Sequence, residues 1–206
     1  MKIQLDWLKE YVDIDLSAEE LGHLLTMAGL EIESHETVEL SDGEKTEVLE
    51  LNVTPNRGYC LSYFGVAREV SALIGKSFMP PDYEAELEKV WGADSVMEEL
   101  KVDNNEPELC SRYSGMVIEN IKPGPSPKWL VDRLTAIGLR SVNNVVDVTN
   151  FVLMEYGQPL HAFDKDSLEG SSIQVRRSLE GEAFTSIDGS NLQLDQDTLV
   201  IADANK

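Results

Sequence analysis

The sequence predicts an α+β fold: a small helical domain carrying a β-hairpin, then a mixed α/β module. Three observations carry that reading. Apolar residues recur at helical spacing in some segments, they alternate with polar residues in others, and the charge changes sharply along the chain. Residues 1–110 hold 25 acids and 8 bases, a net of -17; residues 111–206 hold 13 acids and 9 bases, a net of -4. The division falls in 80–108. That stretch opens on Pro80-Pro81, which stop a helix, and carries ten acids against Lys89 and Lys101 from Asp82 to Glu108. It reads as an acidic linker between a domain at 1–79 and one at 109–206, with Val90, Trp91, Val96, Met97 and Leu100 able to dock on a neighbour.

The elements follow in order. Trp7, Leu8 and Tyr11 mark a short helix over 6–11. Ser17 and Glu20 form a capping box ahead of Leu21, Leu24, Leu25 and Ala28, and Gly29 stands at the C-terminal end. Residues 31–36 and 47–53 alternate and flank a Ser41-Asp42-Gly43 turn, which is a hairpin signature. Phe64, Ala67, Val70, Leu73 and Ile74 make a helical stripe ending at Gly75. In the second half Arg112–Ile121 is strand-like. Ser126 is an N-cap ahead of Pro127, with a helix to 137 stopped by Gly138. A second helix runs to Tyr156 and closes at Gly157 and Pro159. Short strands follow near 173–176, 183–187, 192–194 and 199–202, with Asp188-Gly189 turning the middle pair.

Composition removes several classes. With 206 residues, 42% apolar, the chain can bury a core. A net charge of -21 argues against stand-alone binding to nucleic acid or to anionic membranes, because affinity for phosphate comes from Lys and Arg. No apolar run reaches membrane-spanning length, and the charged N-terminus is not a signal peptide. Cys60 and Cys110 have no CxxC spacing, so no metal site is expected; they read as reduced thiols of a cytoplasmic protein. The phosphate-loop, GxGxxG, GxSxG and HExxH patterns are all absent, so nothing builds an ATP site.

Candidate chemistry gathers at one place. His23 and His35 read as surface or core residues. His161 lies in Gly157-Gln-Pro-Leu-His-Ala-Phe-Asp164, just past a helix end, where it either lines a site or pins the loop to a carbonyl. Asp147 and Asn150 share a helix face and, with Thr149, are polar residues on an apolar helix. They need partners, internal or from a ligand. Thr54-Pro-Asn-Arg-Gly58 reads as a structural turn in which Arg57 pairs with an acid.

Three segments carry a resemblance. MKIQLDWLKEYVDIDLSAEELGHLLTMAGLEIE, LELNVTPNRGYCLSYFGVAREVSALIG, and RYSGMVIENIKPGPSPKWLVDRLTAIGLRSVNNVVDVTNFVLMEYGQPLHAFD together resemble the bacterial phenylalanyl-tRNA synthetase beta subunit. The family usually inserts an OB-fold tRNA-binding module between the first two segments, where only residues 37–47 stand here. The resemblance implies an N-terminal fragment lacking that module, with 109–206 the first half of an editing module that hydrolyses mischarged Tyr-tRNA. The holoenzyme it implies charges tRNA with phenylalanine using ATP and magnesium, and it pairs the beta subunit with an alpha subunit and a second alpha-beta pair. It also implies no aminoacylation residues and no bound cofactor in this chain, and contact with tRNA through the holoenzyme rather than through this segment alone. Thr149, Asn150 and His161 match the family's editing pocket. A fragment inactive alone is the expectation; a free-standing trans-editing hydrolase and a non-catalytic interaction module are the alternatives.

Overall fold

A computed structural model describes residues 1–84, 87 and 100–205. The docking role expected of Val90, Trp91, Val96 and Met97 lies outside the described residues. The polypeptide packs as two units: Met1–Leu87 with Lys122–Ala162, and the described part of Glu88–Ile121 with Phe163–Lys206.

The first unit begins with strand β1 (Lys2–Gln4), which continues directly into helix α1 (Leu5–Leu8). Helix α2 (Ala18–Met27) starts at the anticipated capping box: the Ser17 hydroxyl accepts from the Glu20 N–H and the Glu20 carboxylate accepts from the Ser17 N–H. Strands β2 (Glu31–Glu39) and β3 (Lys45–Asn52) form the hairpin, longer than alternation suggested. Its turn is only residues 40–44, closed by Leu40 N–H to Glu44 O at 2.7 Å. The hairpin is not alone, because β1 adds antiparallel to β3, pairing Lys2 with Glu50, to give a sheet of order β1-β3-β2. A 3-10 turn (Pro55–Cys60) leads into α3 (Tyr63–Ile74), capped by Ser62 and stopped by Gly75 at φ +68°.

Helices α4 (Lys128–Ala136) and α5 (Asn144–Tyr156) complete this unit. Ser126 does not cap α4 as expected. Pro127 takes that position, and the Ser126 hydroxyl bonds to Asp147 instead. A core of Trp7, Tyr11, Leu21, Leu25, Leu51, Tyr63 and Val66 receives Phe151 and Met154 from α5. The packing therefore groups 122–162 with the N-terminal segment, across the boundary that charge placed at 80–108. The cause is apolar burial. Trp7 stacks on Phe151, Phe64 meets Tyr156, and the Arg133 guanidinium lies over the Trp7 and Trp129 rings.

The second unit holds β4 (Lys101–Asn104), β5 (Ser172–Arg177) and β8 (Leu199–Ala202) in that order, with β4 parallel and β8 antiparallel to β5. Strands β6 (Glu182–Thr185) and β7 (Asn191–Leu194) form a separate hairpin through the Asp188-Gly189 turn. Arg112–Ile121 is not a strand. β4, from the stretch read as linker, takes the place beside β5, and the 112–121 segment runs against Leu100 and Val102 at Gly115 without a backbone ladder. It keeps a trace of alternation, Tyr113 and Val117 being half-buried while Met116 and Ile118 are exposed.

Candidate functional site

Helix α5 and the loop that follows it carry the candidate residues. The N-terminus of α5 is tied down by its own polar side chains. Asn143 caps it, accepting from the N–H groups of Val145 and Val146 at 3.0 Å each. Asn144 bonds back to Gly124 N–H and Lys122 O, both at 3.0 Å. Asp147 is fully buried and accepts from the hydroxyls of Ser126 and Ser141 and from Val142 N–H. Burial alone would raise its carboxyl, yet these donors hold it below the usual carboxylate range. Of the two roles open to Asp147, internal bonding is the one observed: it laces the 122–126 and 138–142 loops to the first turn of the helix.

Thr149 and Asn150 follow on α5 and are half-buried. The Thr149 hydroxyl donates to Val146 O at 2.7 Å, a bond within the helix. Its proton is thereby used, and its free lone pairs make it an acceptor toward anything outside. Neighbouring positions are apolar and only partly covered: Val148 and Leu153 are exposed, and Val145, Val146 and Val152 are half-buried. The helix ends at Gly157, φ +76°, whose N–H bonds to Leu153 O at 2.8 Å. Gln158 to Ala162 then run as an exposed loop carrying His161. All three candidates thus lie in one unit, two on the middle of α5 and the third five residues past its last residue, Tyr156. Two surface grooves of the N-terminal helices, of about 490 and 240 Å³, are lined by residues such as Leu24, His23 and Leu73 and by none of the three. Among the described residues no cluster of His, Cys, Asp or Glu is arranged to hold a metal, and no helix is long and apolar enough to cross a membrane.

The same helix carries an anchor that spacing did not single out. The Glu155 carboxylate is 4% exposed and accepts from the Tyr11 hydroxyl. Burial pushes this carboxyl up, while Tyr11 and Arg133 pull it down and Glu10 raises it. The available signal was an acid four residues after Phe151, on the apolar face of the helix.

Sequence relatives match this same stretch together with nearly all of the rest. The phenylalanine–tRNA ligase beta subunit of Geobacter sulfurreducens is 46% identical over 193 residues, 93% of this chain and 23% of that one. That of Rhodopirellula baltica is 44% identical over 205 residues, 100% of this chain and 29% of that one. That of Carboxydothermus hydrogenoformans is 48% identical over 200 residues, 93% and 24%. The chain belongs to the phenylalanine–tRNA ligase beta-subunit family. It spans about a quarter of the length of these curated relatives. A B3/4 domain model matches residues 109–206. A solved N-terminal fragment of the phenylalanyl-tRNA synthetase beta subunit from Pyrococcus horikoshii aligns over 94% of this chain and 50% of that one, at 14% identity and a TM-score of 0.42.

Proposed function

We propose that this chain is the N-terminal part of a phenylalanine–tRNA ligase beta subunit, and that its 109–206 segment contributes to hydrolysis of tyrosine mischarged onto tRNA. The observation that supports this best is the identity of 44% across the whole chain, which includes α5 and the Gly157–His161 loop. The chemical need is general. Tyrosine exceeds phenylalanine by one hydroxyl, and an apolar pocket rejects such an analogue poorly, so a second site that reads the hydroxyl is required.

In this reading the partly exposed apolar surface of α5 receives the 3′ end of an aminoacylated tRNA. Thr149, with its proton committed to Val146 O, accepts from a donor such as a ribose hydroxyl. Asn150, one residue on, offers both an amide donor and a carbonyl acceptor to the same adenosine or to the ester. His161 orients the attacking water or the ester. No step of the charging reaction is assigned to this chain; ATP and magnesium belong with the alpha subunit, which together with a second alpha-beta pair completes the ligase.

The test uses a full-length beta subunit carrying this segment, assembled with its alpha subunit. His161→Ala lowers deacylation of Tyr-tRNA by about ten- to a hundredfold and leaves phenylalanine charging within about twofold. Equal loss of charging and deacylation would mean that His161 holds the fold and is not part of a site.

A further inference from the structure

The N-terminal segment grips the last turn of α5 at three consecutive residues. Tyr11 donates to Glu155, the Phe64 ring lies 4.8 Å from that of Tyr156, and Gly157 lies so close to Ser62 that a Cβ there would be 3.4 Å from the Ser62 Cβ. Immediately after these contacts comes Gln158-Pro159-Leu160-His161. Pro159 has a fixed φ, which removes one of the backbone torsions between the end of the helix and the histidine. The direction in which α5 ends therefore sets where the short span to His161 begins.

Of the three contacts, Tyr11–Glu155 is the polar and directional one. Both residues are buried, at 1% and 4% exposure, and a buried carboxylate is costly unless a donor meets it. Tyr11 is itself fixed from several sides. Its hydroxyl also receives the Trp7 indole N–H at 3.3 Å, its ring meets Phe64 edge-on at 5.9 Å, and its carbonyl accepts from Met79 N–H at 2.8 Å. We infer that Tyr11 and Glu155 are positioning residues for His161, aiming the candidate editing loop from the N-terminal segment without touching substrate. The inference rests on the editing reading of His161.

Full-length beta subunit assembled with its alpha subunit provides the test, with hydrolysis of Tyr-tRNA and charging of phenylalanine measured side by side. Tyr11→Phe and Glu155→Leu should each lower kcat for hydrolysis about tenfold while KM and charging stay within about twofold, as expected when a reacting group is misaimed rather than removed. Glu155→Gln, which still offers an acceptor to the Tyr11 hydroxyl, should restore kcat to within about twofold of the native value. Should Tyr11→Phe fail to assemble, Gly157→Ala disturbs the same launch point through its positive φ and the Ser62 contact, and should give the same split. Parallel loss of charging and hydrolysis would reduce the contact to a fold-holding role and overturn the inference. Full hydrolysis in Tyr11→Phe and Glu155→Leu, alongside loss in His161→Ala, would overturn it and leave the editing reading standing. A silent His161→Ala would remove the editing reading, and this inference with it.

Discussion

Trp7 and Phe151 stack with ring centroids 4.8 Å apart and planes 9° from parallel. The Trp7 indole also stacks on Tyr63 at 3.8 Å, and Phe151 meets Trp129 edge-on at 5.5 Å. Helices α1, α3, α4 and α5 thus share one aromatic core. Trp7→Ala and Phe151→Ala should each destabilise the chain by about 3–5 kcal/mol. A double-mutant cycle should return a coupling of about 1 kcal/mol, seen as less than additive shifts of the urea midpoint. A Phe151→Ala midpoint equal to that of the native chain would contradict the shared core.

Gly65, in the first turn of α3, has no room for a side chain. A Cβ there would lie 1.9 Å from the carbonyl oxygen of Tyr59 and 2.6 Å from its carbon. Backbone cannot yield as a flexible side chain does, so Gly65→Ala should cost about 2–3 kcal/mol. Gly58 faces open space, and Gly58→Ala should stay within about 0.5 kcal/mol of the native chain. Thermal unfolding of the two variants compares them directly; equal melting temperatures would refute the steric argument.

Gly65 also shows where the sequence is mute. Its surroundings read as an ordinary helix start, because the clash is with a turn whose path no local pattern encodes. Local signals served well elsewhere. Ser17 and Glu20 cap α2, Gly75 and Gly157 stop α3 and α5, and Asp188-Gly189 turns a hairpin, each through chemistry contained in a few neighbouring residues. Long-range pairing left no such trace. β1 is three residues long and recognisable only by β3 beside it, and β4 pairs in parallel with β5 across some seventy residues of chain. The acidity of 80–108 hid β4, since Lys101 and Asp103 fulfil the expected surface role while Val102 pairs inward with Ile173. At the candidate site, polar residues on α5 were visible as exceptions to an apolar pattern, but only coordinates separate Asp147, spent on Ser126 and Ser141, from Thr149.

Asp147 should make the chain sensitive to acid. Its carboxyl is held below the ordinary range when folded, so its contribution is fully present above the unfolded value of about 3.9 and is lost as pH falls through the folded one. Asp147→Ala leaves two hydroxyls and the Val142 N–H without their acceptor and should cost about 2–3 kcal/mol at neutral pH. The deficit should shrink as pH falls below about 4, where the unfolded carboxyl takes up a proton first and the folded one follows only at lower pH. Urea midpoints from pH 3 to 7 would show this; a deficit independent of pH would mean the carboxylate charge plays no part.

Glu155 should act with the opposite sign. Burial raises its carboxyl, so the stability linked to it is present below the unfolded value of about 4.3 and lost as pH rises through the folded one. Glu155→Gln keeps an acceptor for Tyr11 and removes the cost of ionising a buried group. The substitution should therefore leave the midpoint unchanged near pH 4 and raise it, or hold it level, at pH 7. A clear loss at pH 7 alone would show that the Arg133 charge, rather than the Tyr11 hydroxyl, is the partner that matters.

The 206-residue chain should not bind tRNA measurably by itself at physiological salt. Binding would need cations free to replace the counterions of the phosphates, and the net charge is -21. The arginines of the second half are largely committed. Arg133 pairs with Glu10, Arg176 holds Glu182 through two bonds of 2.8 Å, and Arg177 holds Asp197 at 2.9 Å. The Arg176 pair is tight enough to pull the Glu182 carboxyl down to about 2, so it persists across the physiological range. Each arginine turned toward phosphate would first have to leave a carboxylate, and each neighbouring acid would then repel the same phosphate. Arg112, Lys122 and Arg140, with Lys9, Lys45 and Arg68 of the first half, make no ion pair among the described residues, too few cations to offset a net charge of -21. Fluorescence anisotropy of labelled tRNA against micromolar protein, from low to physiological salt, tests this. A specific shift that weakens steeply with salt would overturn it; a slope reduced by about one in Arg140→Ala would then place a phosphate at that residue.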